Sequence, residues 1–420
     1  MQDFTPHSSL LIPHSSLYIH VPFCAGACDY CDFYSIAIDP VTGRNVDGSG
    51  GAKGYLDAYV ERLLEDAEEI FRVFPVEYVP SVYIGGGTPS ILGADRIKKI
   101  LAGIKSILSA LPGQSGAILP VEITVEANPE SVDEKFLDAC RNGEVTRISA
   151  GVQSFYEFSR IAVHRVGDLS SRQIEKRLEL ISSYYPGSFS VDLIAGLPLQ
   201  NEAQFLDDIK RVMAFDPGHI SLYTLIVEEN TPLARRIRSK SRTDASVYRI
   251  NTEETDSMWL SGRDYLINAG LQQYEVSNFA KTGKQSLHNI RYWRMENWLG
   301  LGPGASGTVI DDETGTGRRY TVIPDVDQWL AKKPSVQEEF LDRQVLIKES
   351  LLMGFRYTIG PDPVLFRKRF GIELADLIPQ TLENWRKKGY MKPDALALNP
   401  NGLLFLNRFL IEAFKELENS

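Results

Sequence analysis

The sequence predicts an α/β protein: a parallel sheet of about six βα units, followed by a small, mostly helical C-terminal domain. Three observations carry this. Short apolar runs alternate with helix-period segments from residue 16 to residue 226, the pattern of a parallel sheet, open or closed. Most of those runs end in small or polar residues, which is where such a sheet carries its site. From about residue 335 the apolar spacing turns helical.

The elements follow in order. Residues 1–15 read as a flexible leader that holds Pro-His-Ser-Ser-Leu twice, from Pro6 and from Pro13. Ser16–Val21 is a strand leading into a cysteine-rich loop. Residues 39–54, rich in Gly, Asp and Asn, are a loop. In 55–74, Leu56, Tyr59, Leu63, Ala67 and Ile70 recur at helix period. A strand over 81–84 runs into Gly85-Gly86-Gly87-Thr88, and 95–109 is a helix. The strand 121–127 ends at Asn128-Pro129, and a helix over 131–141 takes Ser131 as N-cap. Strand 145–152 ends at Gln153, helix 171–183 follows, and strand 188–195 carries Asp192. Helix 201–215 and strand 219–226 complete the repeat. Residues 231–335 break the rhythm. Beyond them, 345–355, 374–388 and 403–417 are helical, with a short strand and turn over 396–402, a winged-helix-like arrangement.

Composition narrows the function. The 420 residues are 43% hydrophobic and 24% charged, ordinary for a globular chain. The net charge of −10 opposes a nucleic-acid substrate, which asks for a basic face. No apolar run reaches the roughly 18–20 residues of a membrane span, which leaves room only for peripheral membrane contact. The N-terminus lacks the basic and apolar regions of a secretory signal. Cytoplasm is the expected compartment.

Three of the four cysteines, Cys24, Cys28 and Cys31, fall in a C-x3-C-x2-C run. Soft thiolates select zinc, copper(I) or iron–sulfur sites. A structural zinc asks for four ligands, usually in separated pairs. His14, His20 or Cys140 would have to complete that set, and there is no second pair. Three thiolates can instead hold three corners of a four-iron cluster and leave one iron open to an exogenous ligand. Cys140 reads as an inert buried thiol.

The run Tyr18-Ile19-His20-Val21-Pro22-Phe23-Cys24-x3-Cys28-x2-Cys31 resembles the cluster motif of radical S-adenosylmethionine (SAM) enzymes, in their coproporphyrinogen-oxidase-like branch. Gly85 to Ser90, Val125 to Glu130, Arg147 to Phe155 and Asp192 to Pro198 are similar to further signature stretches in the same order. The resemblance runs from about residue 16 to 415 and implies a partial (β/α)6 radical SAM barrel over 16–230. A barrel extension would occupy 231–335 and the winged-helix-like helical domain 336–420. Two features select within the branch. The oxygen-independent coproporphyrinogen III oxidases carry a fourth cysteine where this chain has Phe33. His288-Asn289-x2-Tyr292-Trp293 resembles the signature of HemW-type heme chaperones.

The resemblance implies a [4Fe–4S] cluster on Cys24, Cys28 and Cys31, with SAM on the open iron. It implies SAM contacts from Tyr18, Tyr30, Gly86, Gly87, Thr88, Glu126, Gln153, Arg165 and Asp192. Tyr30 would pack on the adenine. Gly86 and Gly87 would let backbone amides approach the ligand. Arg165, twelve residues after Gln153, would pair with the SAM carboxylate. Glu126 and Asp192 would accept from ribose hydroxyls or the amino group, the plainer reading being helix caps. Heme is the implied cargo and heme-accepting proteins such as respiratory cytochromes the implied partners. His288 is a candidate axial ligand, with Tyr292 and Trp293 flanking the porphyrin; the plainer reading is that this motif stabilises the barrel edge. The alternative function is oxidative decarboxylation of coproporphyrinogen III, against which Phe33 argues.

Overall fold

The computed structural model describes residues 12–39, 54–114, 121–165, 169–238, 247–248, 251–333 and 336–419. Six strands form its centre: β1 (Ser16–Val21), β2 (Ser81–Gly86), β3 (Glu122–Ala127), β4 (Arg147–Gln153), β5 (Phe189–Ala195) and β6 (His219–Thr224). They pair in parallel and lie in sequence order. This is the partial (β/α)6 barrel. Its strands carry near-continuous Val, Ile and Leu, such as Leu17, Ile19, Ile84, Val125, Ile148, Val191 and Leu222, all at 0% exposure. Strands covered on both faces need that composition.

Helices cover the outer face. Tyr55–Val73 turns Leu56, Tyr59, Leu63, Ala67 and Ile70 inward as their spacing requires. Two connections carry full capping boxes, Ser170 with Gln173 and Asn201 with Gln204, each satisfying two orphan backbone donors. The expected Ser131 cap is corrected. Ser131 closes a 3-10 turn, Pro129–Ser131, and the helix starts at Glu134 under Asp133, whose side chain accepts from Phe136 N at 2.8 Å.

The chain past residue 231 does not form a separate layer. It extends the sheet at both edges with β7 (Gln272–Gln273), β8 (Asn278–Ala280), β9 (Trp298–Leu301), β10 (Ser306–Asp311), β11 (Thr316–Val322) and β12 (Val336–Leu341). β8 adds antiparallel to β6, and β9 adds parallel to β1. The twelve-stranded order is β7-β8-β6-β5-β4-β3-β2-β1-β9-β10-β11-β12. The sheet thus crosses the expected boundary at 335/336, and the helical C-terminal region begins at Arg343.

That region has its own core around Phe355, Phe370, Trp385 and Phe409. Phe409 sits edge-on to Trp385, centroids 5.1 Å apart. The expected helix 374–388 is broken into Leu374–Leu377 and Pro379–Lys387, because Pro379 has no N–H to continue the ladder and restricts Ile378. The wing is reduced to one bridge, Met391 with Leu398. The leader expectation also changes: Ile12–His14 pairs in parallel with Val76–Tyr78, and Ile12 is buried. Residues 1–11 and the loop over 40–53 lie outside the described residues.

Candidate functional site

The C-terminal ends of the barrel strands enclose a cavity of about 520 Å3. Cys24, Cys28, Tyr30, Cys31, Gly86, Gly87, Thr88, Glu126, Gln153, Arg165 and Asp192 all line it. The strand-end residues of five units therefore meet in one space.

The cysteine loop is fixed at both flanks. Phe23–Cys24 pairs with Ile36–Ala37, Asp29 N donates to Val163 O, and Leu233 N donates to Asp29 O. The Thr88 hydroxyl lies 3.5 Å from Cys24 Sγ and an Arg165 nitrogen 3.8 Å from Cys28 Sγ. No three His, Cys, Asp or Glu side chains converge on a single-ion point among the described residues. A cubane asks for something else, since each thiolate takes a different iron. Three cysteines on the wall of one cavity, with donors beside two sulfurs, fit that group.

Gly86 adopts φ +107, and any Cβ there would overlap the His20 ring. A Cβ on Gly87 would stand 2.6 Å from Phe23 O. The expected role of their amides is corrected. Gly86 N donates to Glu126 Oε2, Gly87 N to Val21 O and Thr88 N to Phe23 O. The glycines supply close approach, while their N–H groups are already engaged.

Gln153 is built differently. A register shift between Gly151 and Gln153 interrupts the pairing of β4 with β5, and Gln153 takes φ +68. Such irregularities re-aim a side chain, and a non-glycine residue in this region costs about 1–3 kcal/mol. Among the described residues its buried Oε1 has no hydrogen-bond partner, which is uncommon for a buried amide.

Two of the carboxylates that line the cavity sit on its strands, Glu126 and Asp192. Glu126 accepts from the Tyr83 hydroxyl at 2.7 Å as well as from Gly86 N. Burial, with Asp192 adding to it, pushes the Glu126 carboxyl up to about 7 against those two hydrogen bonds. Burial likewise lifts Asp192 to about 6, opposed by the Ser221 and Ser149 hydroxyls and by Arg165. Neither caps a helix; Asp133 and Asn201 do that. Arg165 braces the wall through Asn128 Oδ1 at 2.8 Å and Gly151 O at 2.6 Å.

Tyr18 stands apart from the lining. Its hydroxyl bonds His20 Nδ1 at 2.9 Å, and His20 Nε2 donates to Tyr34 O. His288, Tyr292 and Trp293 stand further off, and the expectation of a heme-facing His288 is corrected by where its helix lies. Leu287–Trp293 plugs the opposite end of the barrel, where the strands begin. Glu122, first residue of β3, accepts from the amides of Leu287 and His288. His288 is 1% exposed. Its Nδ1 bonds Ser81 at 3.0 Å and its Nε2 bonds Tyr292 at 3.1 Å, so both ring nitrogens are engaged. Burial lowers its pKa to about 3. Arg356 stacks over Trp293 at 4.9 Å.

Sequence reasoning passed over Tyr83, Asn128 and Glu130. Asn128 joins Arg165 to Thr88, and its signal was its place directly after strand β3. Glu130 lines the cavity, and its buried Oε2 has no partner among the described residues.

Residues 18–212 match the model of the Radical SAM superfamily. The chain is 30% identical over 412 residues to the heme chaperone HemW of Lactococcus lactis, covering 95% of this chain and 98% of that protein. It is 36% identical over 305 residues to HemW of Escherichia coli, 71% of each chain. Among solved structures, coproporphyrinogen III oxidase (HemN) from Escherichia coli, a radical SAM enzyme, superposes with a TM-score of 0.74. That match covers 96% of this chain and 90% of the oxidase at 20% identity, a likeness of fold. The fold, the superfamily match and the full-length similarity to HemW agree, and the chain belongs to the HemW-type family of radical SAM proteins.

Proposed function

We propose that this chain is a heme chaperone that holds a [4Fe–4S] cluster and SAM at the C-terminal mouth of its barrel, takes up heme and passes it to acceptor proteins such as respiratory cytochromes. The observation that carries the reading is the match to a heme chaperone over 98% of that protein's length. The cavity supports the cluster and SAM part of it, because three cysteines and several polar side chains line one space.

Cys24, Cys28 and Cys31 are the residues to hold the cluster, whose open iron, when present, supplies a coordination point for SAM. Gln153 Oε1 and Glu130 Oε2 offer unpaired acceptors to an amine or hydroxyl. Glu126 and Asp192 add acceptors whose strength depends on pH, as their lifted pKa values require. Arg165 and Asn128 brace the wall between the cluster loop and the sheet. Gly86 and Gly87 let this wall pack closely against His20, Val21 and Phe23.

Phe33 bears on the choice between carrying and making heme. It is 69% exposed and lines the cavity rim, where the oxidases place a fourth cysteine. An apolar side chain there adds no proton donor or redox group. The test is anaerobic incubation of cluster-loaded protein with heme and an apocytochrome, read as heme appearing on the cytochrome. A parallel incubation with SAM, reductant and coproporphyrinogen III that yields stoichiometric protoporphyrinogen would overturn the reading.

A further inference from the structure

Among the described residues, His164 is the one histidine near the cysteine loop that presents a ring nitrogen outward. It follows the helix Glu157–Ala162, and its amide donates to Ile161 O at 3.0 Å. Its side chain is 53% exposed, and its Nδ1 lies 2.8 Å from Asp29 Oδ2. Asp29 is 7% exposed and also pairs with Arg236 Nε at 2.6 Å. An Arg236 nitrogen also lies 3.4 Å from Nδ1, but the Asp29 carboxylate is the closer partner at 2.8 Å and only accepts, so the Nδ1–H of His164 is directed at it. Nε2 then keeps its lone pair, and among the described residues nothing bonds it. A carboxylate or carbonyl behind one nitrogen is the arrangement that orients imidazole ligands toward a metal.

Two further features surround it. Phe158 and Ile161, one helical turn apart on the preceding helix, are 63% and 60% exposed. Large apolar side chains exposed together mark a surface built to be covered. The helix Pro232–Arg238 brings Arg236 beside it through the Arg236–Asp29 pair, while Arg235 and Arg238 donate to the carbonyls of Asn230 and Glu229. Two exposed apolar side chains, an oriented imidazole and the Arg236 guanidinium match a flat iron macrocycle carrying carboxylates.

We propose that His164 is the axial ligand of heme iron, on a surface beside the cluster cavity, with Asp29 as its positioning residue. This rests on the heme-carrying reading above. The bond formed is dative, from the Nε2 lone pair to iron, and it displaces a weak axial ligand without electron transfer. Heme at this place lies next to the cysteine loop, since Asp29 directly follows Cys28.

The test is a hemin titration of the full-length, anaerobically cluster-reconstituted chain, read by the Soret band and by electron paramagnetic resonance. Wild type is expected to give a histidine-ligated spectrum. His164→Ala is expected to lose it and to bind heme at least about tenfold more weakly, with cluster iron unchanged. His164→Gly is expected to regain the spectrum on addition of imidazole. Asp29→Asn is expected to weaken heme binding by roughly 10–100-fold while the axial signature persists. Identical spectra and affinity for wild type and His164→Ala would overturn this inference and leave the chaperone reading standing. Loss in His164→Gly without imidazole rescue would also overturn it. A wild-type chain that binds no heme would overturn the chaperone reading and this inference together.

Discussion

The Tyr83 hydroxyl donates to Glu126 Oε1 at 2.7 Å, while the same ring packs 5.1 Å from His288, centroid to centroid. One tyrosine on β2 thus stands between Glu126 on the cavity wall and His288 on the plug helix. Tyr83→Phe removes the donor and is expected to cost about 1–2 kcal/mol of stability, since Glu126 keeps one bond fewer in a buried place. Denaturant melts check this, and cluster iron content is expected to stay at the wild-type level.

The pH response of Glu126 has a definite sign. A free glutamate titrates near 4.5, whereas burial holds this proton up to about 7. The group's contribution to stability is full below 4.5 and is lost as pH rises through 7. Asp192 adds the same trend between 3.8 and about 6. Glu126→Gln is expected to flatten the fall in Tm across that window, and an unchanged slope would contradict the assignment.

His288 responds oppositely. Its stabilising contribution is present above the ordinary 6.5 and is lost as pH falls toward about 3, because the neutral ring is the buried form. His288→Ala leaves Ser81 and Tyr292 short of a partner and opens a cavity, costing about 2–4 kcal/mol. Thermal unfolding measures the loss. The Soret band of heme bound to this variant below its Tm is expected to match wild type.

Gln153 combines strain with an unpaired amide. Gln153→Gly is expected to gain up to about 1 kcal/mol of stability by relieving the left-handed backbone, offset in part by chain entropy. SAM affinity, measured calorimetrically on cluster-loaded protein, is expected to drop. Stability and affinity moving in opposite directions is the signature of a residue strained for binding.

Much of this was legible in the residues. The strand Ser16–Val21 agrees end to end, and the other barrel strands agree to within about two residues, because apolar runs ending in Gly-Gly-Gly, Asn-Pro or Gly-Leu-Pro punctuate them clearly. The gathering of Cys24, Gly87, Glu126, Gln153 and Asp192 followed from strand order alone, since parallel neighbours place their ends together. The place of His288 was not legible. Its partner Ser81 lies 207 residues away, and no local period encodes a contact of that range. The edge strand Val336–Leu341 was missed for a related reason. Gln337, Glu338 and Glu339 interrupt its apolar alternation, and its pairing with β11 supplies what propensity does not. Asp133 won the cap over Ser131 because the backbone leaving Pro129 first closes a 3-10 turn.

The cysteines separate cleanly. Cys24→Ser, Cys28→Ser and Cys31→Ser are each expected to abolish the cluster's visible absorbance after reconstitution. Cys140, fully buried on the helix Glu134–Asn142, is expected to be replaceable by Ala with no change in that absorbance.

The most direct measurement is heme transfer from the cluster-loaded chain to an apocytochrome under anaerobic conditions, followed by absorbance. The Soret band of the chain is expected to decline as that of the holocytochrome rises, with no porphyrinogen consumed. Heme that never binds the chain, or coproporphyrinogen III converted stoichiometrically with SAM, would contradict it.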